Sequence, residues 1–189
     1  MKKVIFTMVV LCLTITAQSQ KKTGSLAPLK GEKSLLVEFD YSHTTYSKQT
    51  EAAFFKDKTK GLSAAKAKAW QEDWKANANG AFVTAFIDEY NKNCDNVKFG
   101  SEAKYKVIVA FTEIDLGVFS GPFSRPAWLT GVFKFVEVAT GKVVATIPFK
   151  KVCGNSYAVQ AEPTEQARVK DACSALGEKA VDKFCKQLK

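Results

Sequence analysis

The sequence predicts an α+β fold: a mainly antiparallel sheet of four to five strands, with a long helix after strand 1 and a C-terminal helix packed on one face. Three observations carry this. Apolar residues alternate with period two at residues 34–41, 105–114, 129–138 and 142–149, the spacing of half-buried strands. Residues 63–93 and 163–189 instead repeat their apolar residues at steps of three and four, which gives helices one buried stripe. The later strands follow one another with no helix between them, so the helices are segregated from a largely antiparallel sheet.

The elements follow in order. Met1-Lys2-Lys3 is basic, residues 4–16 are apolar and uncharged, and Ala17-Gln18-Ser19-Gln20 is small and polar. That is the three-part layout of a cleavable secretory signal peptide. The apolar run is shorter than the roughly 20 residues that span a bilayer, so the mature chain, beginning between Gln18 and Lys21, has no transmembrane span. Leu11 before Cys12 is a poor lipid-attachment context, and the lipid-free form is expected. Residues 21–33 hold Gly24, Pro28 and Gly31 and read as a flexible leader. Residues 34–189 form a single domain.

In the first strand Leu35, Val37, Phe39 and Tyr41 share a face. A short helix follows at 50–58, closed by Gly61. Ser63 caps the long helix, on which Trp70, Trp74, Ala78, Ala81 and Ala85 make one stripe; Asn79-Gly80 is a kink point. Residues 97–100 are at most a short strand. In the next strand Tyr105, Val107, Val109 and Phe111 face one way, while Ile108 and Ala110 make the other face partly apolar, as in a central strand covered on both sides. Ala139-Thr140-Gly141 turns a hairpin. Pro148 lacks an N–H, so its strand is an edge there. Pro163-Thr164 opens the last helix, whose stripe is Val169, Cys173, Leu176, Ala180, Phe184 and Leu188.

Cys94, Cys153, Cys173 and Cys185 follow the signal segment. An even number in an exported chain suggests disulfides, with three connectivities open. If Cys153 ends its strand and Cys173 lies a few turns into the next helix, those two approach, leaving Cys94 with Cys185. The spacings are too wide for a compact zinc site, and neither a metal nor another cofactor is expected.

The formal charge is +9; removing Lys2 and Lys3 leaves +7. In an exported chain this points to anionic surfaces, such as lipid headgroups or acidic glycans, and away from nucleic acid. His43 is the one histidine, and no G-x-S-x-G elbow accompanies Ser42 beside it. Phosphate-cradling glycine motifs are absent. Lys134, Lys150 and Lys151 alternate with Phe133, Phe135 and Phe149, a pattern that belongs first to core strands. Trp70 and Trp74 likewise read as core at helical spacing. Glu113 and Asp115 point to one face near a strand end, as Glu38 and Asp40 do. The former pair is the acidic site that a hydrolase would use. The loop at 118–128 holds Phe119, Phe123, Arg125 and Trp128 among one glycine and two prolines. Loops on a rigid scaffold carry function, and aromatics with Arg mark interfaces.

The helix with Ala69-Trp70-Gln71-Glu72-Asp73-Trp74, the strand 104–111 followed by Glu113-Ile114-Asp115, and the hairpin at Thr140-Gly141-Lys142-Val143-Val144 together resemble small exported envelope proteins of Gram-negative bacteria. More loosely, the layout is similar to the TolB amino-terminal domain and related envelope lipoprotein domains. The resemblance implies an envelope accessory or protein-interaction role and supplies no catalytic residues. The expectation is therefore a periplasmic or secreted, non-enzymatic domain that binds an envelope protein or surface polymer through Phe119, Phe123, Arg125 and Trp128. A small-ligand or glycan binder using the face opposite the helices, or a hydrolase using Glu113 and Asp115, are the alternatives. Oligomeric state is not legible.

Overall fold

The structure is a computed structural model that describes residues 21–120, 124–154 and 164–189. Residues 1–20, on which the signal-peptide expectation falls, Phe123, Pro163 and most of the loop before it lie outside these residues. The elements are β1 (Thr23–Gly24), a 3-10 turn (Ala27–Leu29), β2 (Ser34–Asp40), β3 (Thr45–Tyr46), α1 (Glu51–Lys58), α2 (Ala64–Asn79), α3 (Ala81–Asn93), β4 (Lys98–Phe99), β5 (Tyr105–Asp115), β6 (Trp128–Glu137), β7 (Val143–Cys153) and α4 (Glu165–Lys183).

The sheet order is β1-β7-β6-β5-β2-β4, with β3 also pairing β5. The pairs β1–β7, β7–β6 and β6–β5 are antiparallel. β2 is parallel to β5 and β4, and β3 is parallel to β5. The parallel pairing follows from the connection: α1 to α3 carry the chain from one end of the sheet back to the other. The fold is thus mixed α+β with a mostly antiparallel sheet. Among the described residues it has seven strands, not four to five. The additional ones, β1 and β3, have two residues each, too few for alternation to show.

Helix ends follow side-chain chemistry. Thr50, Ser63 and Thr164 accept from the backbone N–H groups of Ala53, Lys66 and Ala167, capping α1, α2 and α4. The helix expected over 63–93, with a kink point at Asn79-Gly80, is two helices that part there. Gly80 takes φ −118° and ψ −86° between them, a conformation outside the helical region. A short α1 also precedes it, so the long helix does not directly follow the first long strand. Residues 21–33, read as a flexible leader, are pinned instead. β1 pairs with β7, and Leu26 and Leu29 are buried.

The helices lie over one face of the sheet. Phe133 at its centre meets Phe149 at 4.8 Å, Phe184 at 5.4 Å and Phe86 at 6.2 Å between ring centroids. Trp74 is buried and Trp70 stacks on it at 5.8 Å, so both belong to the core. α3 and α4 touch at Gly177, where an added Cβ would stand 2.4 Å from the Phe86 carbonyl oxygen. The Cys94–Cys185 disulfide (Cα–Cα 6.0 Å) ties the end of α3 to the C-terminal turn. Cys153 and Cys173 are not bonded to each other. Cys173 is buried in the core near Tyr41, and burial raises its thiol pKa. Cys153 pairs in register with Trp128 at the end of β7. No helix among the described residues is long and apolar enough to cross a membrane.

Candidate functional site

The face away from the helices is laid out by register. Glu38, Ile108, Lys134 and Thr146 form one row, and Asp40, Ala110, Val132 and Pro148 the next. Lys106 pairs with Glu38 at 2.6 Å and Lys134 with Asp40 at 3.8 Å. Asp40 also accepts from the Ser42 hydroxyl and backbone N–H. These bonds, hydroxyl first, hold its pKa below the usual carboxylate value. Ser42 therefore donates to Asp40, and His43 stands exposed beside them. Burial pushes Tyr46, beneath this corner, up to about 12.

The loop singled out in the sequence leaves the far end of this face as a hairpin. Its root is fixed on three sides. Val118 and Arg125 exchange backbone hydrogen bonds of 3.0 and 2.9 Å. Asp115 Oδ1 accepts from the Gly117 N–H and from Arg125 Nη1, each at 2.9 Å. From below, Arg168 of α4 donates its Nε–H to the Leu116 carbonyl at 2.8 Å, and burial lowers its pKa. Gly117 takes φ +67°, and an added Cβ would stand 2.5 Å from the Arg125 carbonyl oxygen, so only glycine suits the turn.

The first arm of the loop presents two apolar residues outward. Phe119 is 52% exposed and Val118 40% exposed. Trp128 begins β6 and is half-buried. The Arg125 guanidinium carbon lies 5.4 Å from its ring centroid, and Lys151 Nζ lies 5.1 Å away, within cation–π reach. The structure thus brings together Phe119, Arg125, Trp128, Glu113 and Asp115 at one end of the bare face; Phe123 lies outside the described residues. Glu113 and Asp115 share a face just past a bulge at Thr112, opposite Thr130 and Trp128.

Sequence reasoning missed Arg168 and the role of Lys150 and Lys151. One signal was available: the chain has just two arginines, Arg125 and Arg168, among many lysines, and both serve the hairpin root. Arginine is the residue for a planar, directed contact. Lys150 and Lys151 together oppose Thr130 in a bulge of β7, with Lys151 at φ 49°.

Fold and site define a mixed α+β domain with helices on one sheet face and a charged, hairpin-edged second face. No protein-family model matches the chain, and no curated protein matches it. Among solved structures it is similar to a PelC dodecamer from Paraburkholderia phytofirmans, with 10% identity, 84% of this chain and 95% of that one covered, and a TM-score of 0.37. A point variant of that dodecamer in a second space group gives 12% identity, coverage of 83% and 96%, and the same TM-score of 0.37.

Proposed function

We propose that this chain is an exported envelope protein, periplasmic or secreted, and a non-enzymatic binding domain that acts on another protein or a surface polymer. One observation carries the reading: a hairpin with a rigid, ion-paired root presents adjacent exposed apolar residues, Val118 and Phe119, beside Arg125 and Trp128. A free loop would bury such residues or pay an ordering cost on binding; a preformed one has already met it. The Cys94–Cys185 disulfide suits an oxidising compartment. Asp115 is held by Arg125 and Gly117, which supports a positioning role for it above proton transfer, so hydrolysis by Glu113 and Asp115 ranks below both binding readings.

A photo-crosslinking side chain placed at position 119, with a control at exposed Lys68 on α2, tests this in intact cells. The expected result is a discrete adduct from position 119 alone. Equal labelling from both positions, or none from 119, would count against the hairpin as the binding element.

A further inference from the structure

We propose that the ligand of this surface is an acidic polysaccharide, held along the open edge of β7 by Lys150, Lys151 and Arg125 around Trp128; this rests on the binding-domain reading above.

The β7 edge is covered by β1 only at Ala145 and Thr146. Beyond Pro148 the strand carries consecutive lysines in a bulge. Bulges are built features that re-aim side chains near functional sites, and Lys151 adopts a left-handed conformation, φ 49°, which is unfavourable for a residue with a Cβ. What the bulge achieves is visible. Both lysines oppose Thr130 on the bare face, and the Lys151 ammonium sits over Trp128.

The charge pattern separates this edge from the rest of the face. Lys106, Lys134 and Arg125 each have a carboxylate within ion-pair distance. Lys150 and Lys151 are exposed and have none among the described residues. Glu113 stands two strands away, about 10 Å at ordinary strand spacing, where screening at physiological salt is already strong. Between the lysines at the β7 edge and α4 runs a trough of about 390 Å³, lined by Lys150, Lys151, Cys153, Lys179, Glu178 and Asp182. Lys150, Lys151 and Lys179 outnumber Glu178 and Asp182 in the lining, and Asp182 is engaged by Lys186 at 2.6 Å, so lysine charge predominates. A concave trough at these lysines accommodates a chain of rings, with Trp128 outside its lining but under the Lys151 ammonium, whereas a plane of lipid headgroups meets a convex or flat surface. The ligand is therefore assigned as a polymer bearing carboxylate or phosphate groups, with its charge on the lysines and a sugar ring near Trp128.

The test uses the mature full-length chain and immobilised polygalacturonate, with dextran as the neutral control and phosphatidylglycerol vesicles as the lipid arm. Binding to polygalacturonate alone is expected. It should fall steeply as ionic strength rises from about 0.01 M to about 1 M, where the Debye length shrinks from ~30 to ~3 Å. The charge-reversed pair Lys150→Glu and Lys151→Glu should bind about tenfold more weakly or worse with an unchanged melting temperature. Should that variant misfold, Lys150→Gln with Lys151→Gln gives the same reading more mildly. Equal retention on dextran, no loss in either variant, or preferential binding to vesicles would overturn the proposal. If polygalacturonate fails while position 119 still crosslinks its partner, only the ligand assignment falls; if both fail, the binding-domain reading falls with it.

Discussion

The two faces of the sheet are made from the same strands, yet they are held together by different physics. On the helix side, alternate residues of β5, β6 and β7 are aromatic or β-branched and almost fully buried, as with Val107, Val109, Phe111, Phe133 and Phe135. One residue along, the side chains change to Lys106, Lys134 and Thr146, with Ala110, Val132 and Val136 buried between them. Long lysine stems cover apolar neighbours while their ammonium groups stay in water. The comparison teaches that the second face needs no packed helix to be stable. Stability resides on one face, which leaves the other available for recognition.

Breaking the helix-side face should cost most. Phe133→Ala removes a ring in contact with Phe149, Phe184 and Phe86 and should destabilise by about 3–5 kcal/mol, read by denaturant unfolding. A loss below about 1 kcal/mol would mean that the centre of the core lies elsewhere. Next comes the disulfide. Cys94 and Cys185 are 91 residues apart, so Cys94→Ser with Cys185→Ser should cost about 2–5 kcal/mol, as closing a long loop restricts the unfolded chain. Melting with and without reductant checks this, and an unchanged melting temperature under reduction would refute it.

On the bare face the effects should be small and dependent on pH. Asp40 has a folded-state pKa below its ordinary value. It therefore contributes stability above that ordinary value and loses it as pH falls through the lowered one. Asp40→Asn should flatten part of the acid limb of the stability curve and cost under about 1 kcal/mol near neutrality, given the partial exposure of the Lys134–Asp40 pair. An acid limb identical to wild type would show that Asp40 is not strained toward its charged form.

The sequence revealed the helix-side face because burial leaves a periodic trace. Tyr105, Val107, Val109 and Phe111 alternate as β5 requires, and Val169, Cys173, Leu176 and Ala180 fall on the buried stripe of α4. The hairpin was legible as a composition, with its aromatics, glycines and Arg125, but its geometry was not. The Asp115–Arg125 pair closes across ten residues, and the Arg168 contact to Leu116 spans 52; neither has a local pattern. The bulge at Lys150 and Lys151 contains no glycine to announce a positive φ. β1 and β3 were hidden by length, and the leader because Leu26 and Leu29 are isolated apolar residues whose partners lie far along the chain. The Cys153–Cys173 pairing failed because adjacency in sequence order ignored depth: Cys153 ends β7 half-buried at the sheet edge, whereas Cys173 is buried in the core beside Tyr41.

The smallest expected change in stability accompanies the central claim. Phe119→Ser should alter stability by under about 0.5 kcal/mol, because Phe119 is 52% exposed. Hydrogen exchange of the wild-type chain, free and bound to its purified crosslinked partner or to polygalacturonate, then tests the division of labour most directly. The account predicts added protection at residues 117–120, 124–130 and 148–153, with α3 and the buried stripe of α4 unchanged. Protection confined to the helices, with none at the hairpin or the β7 edge, would contradict it.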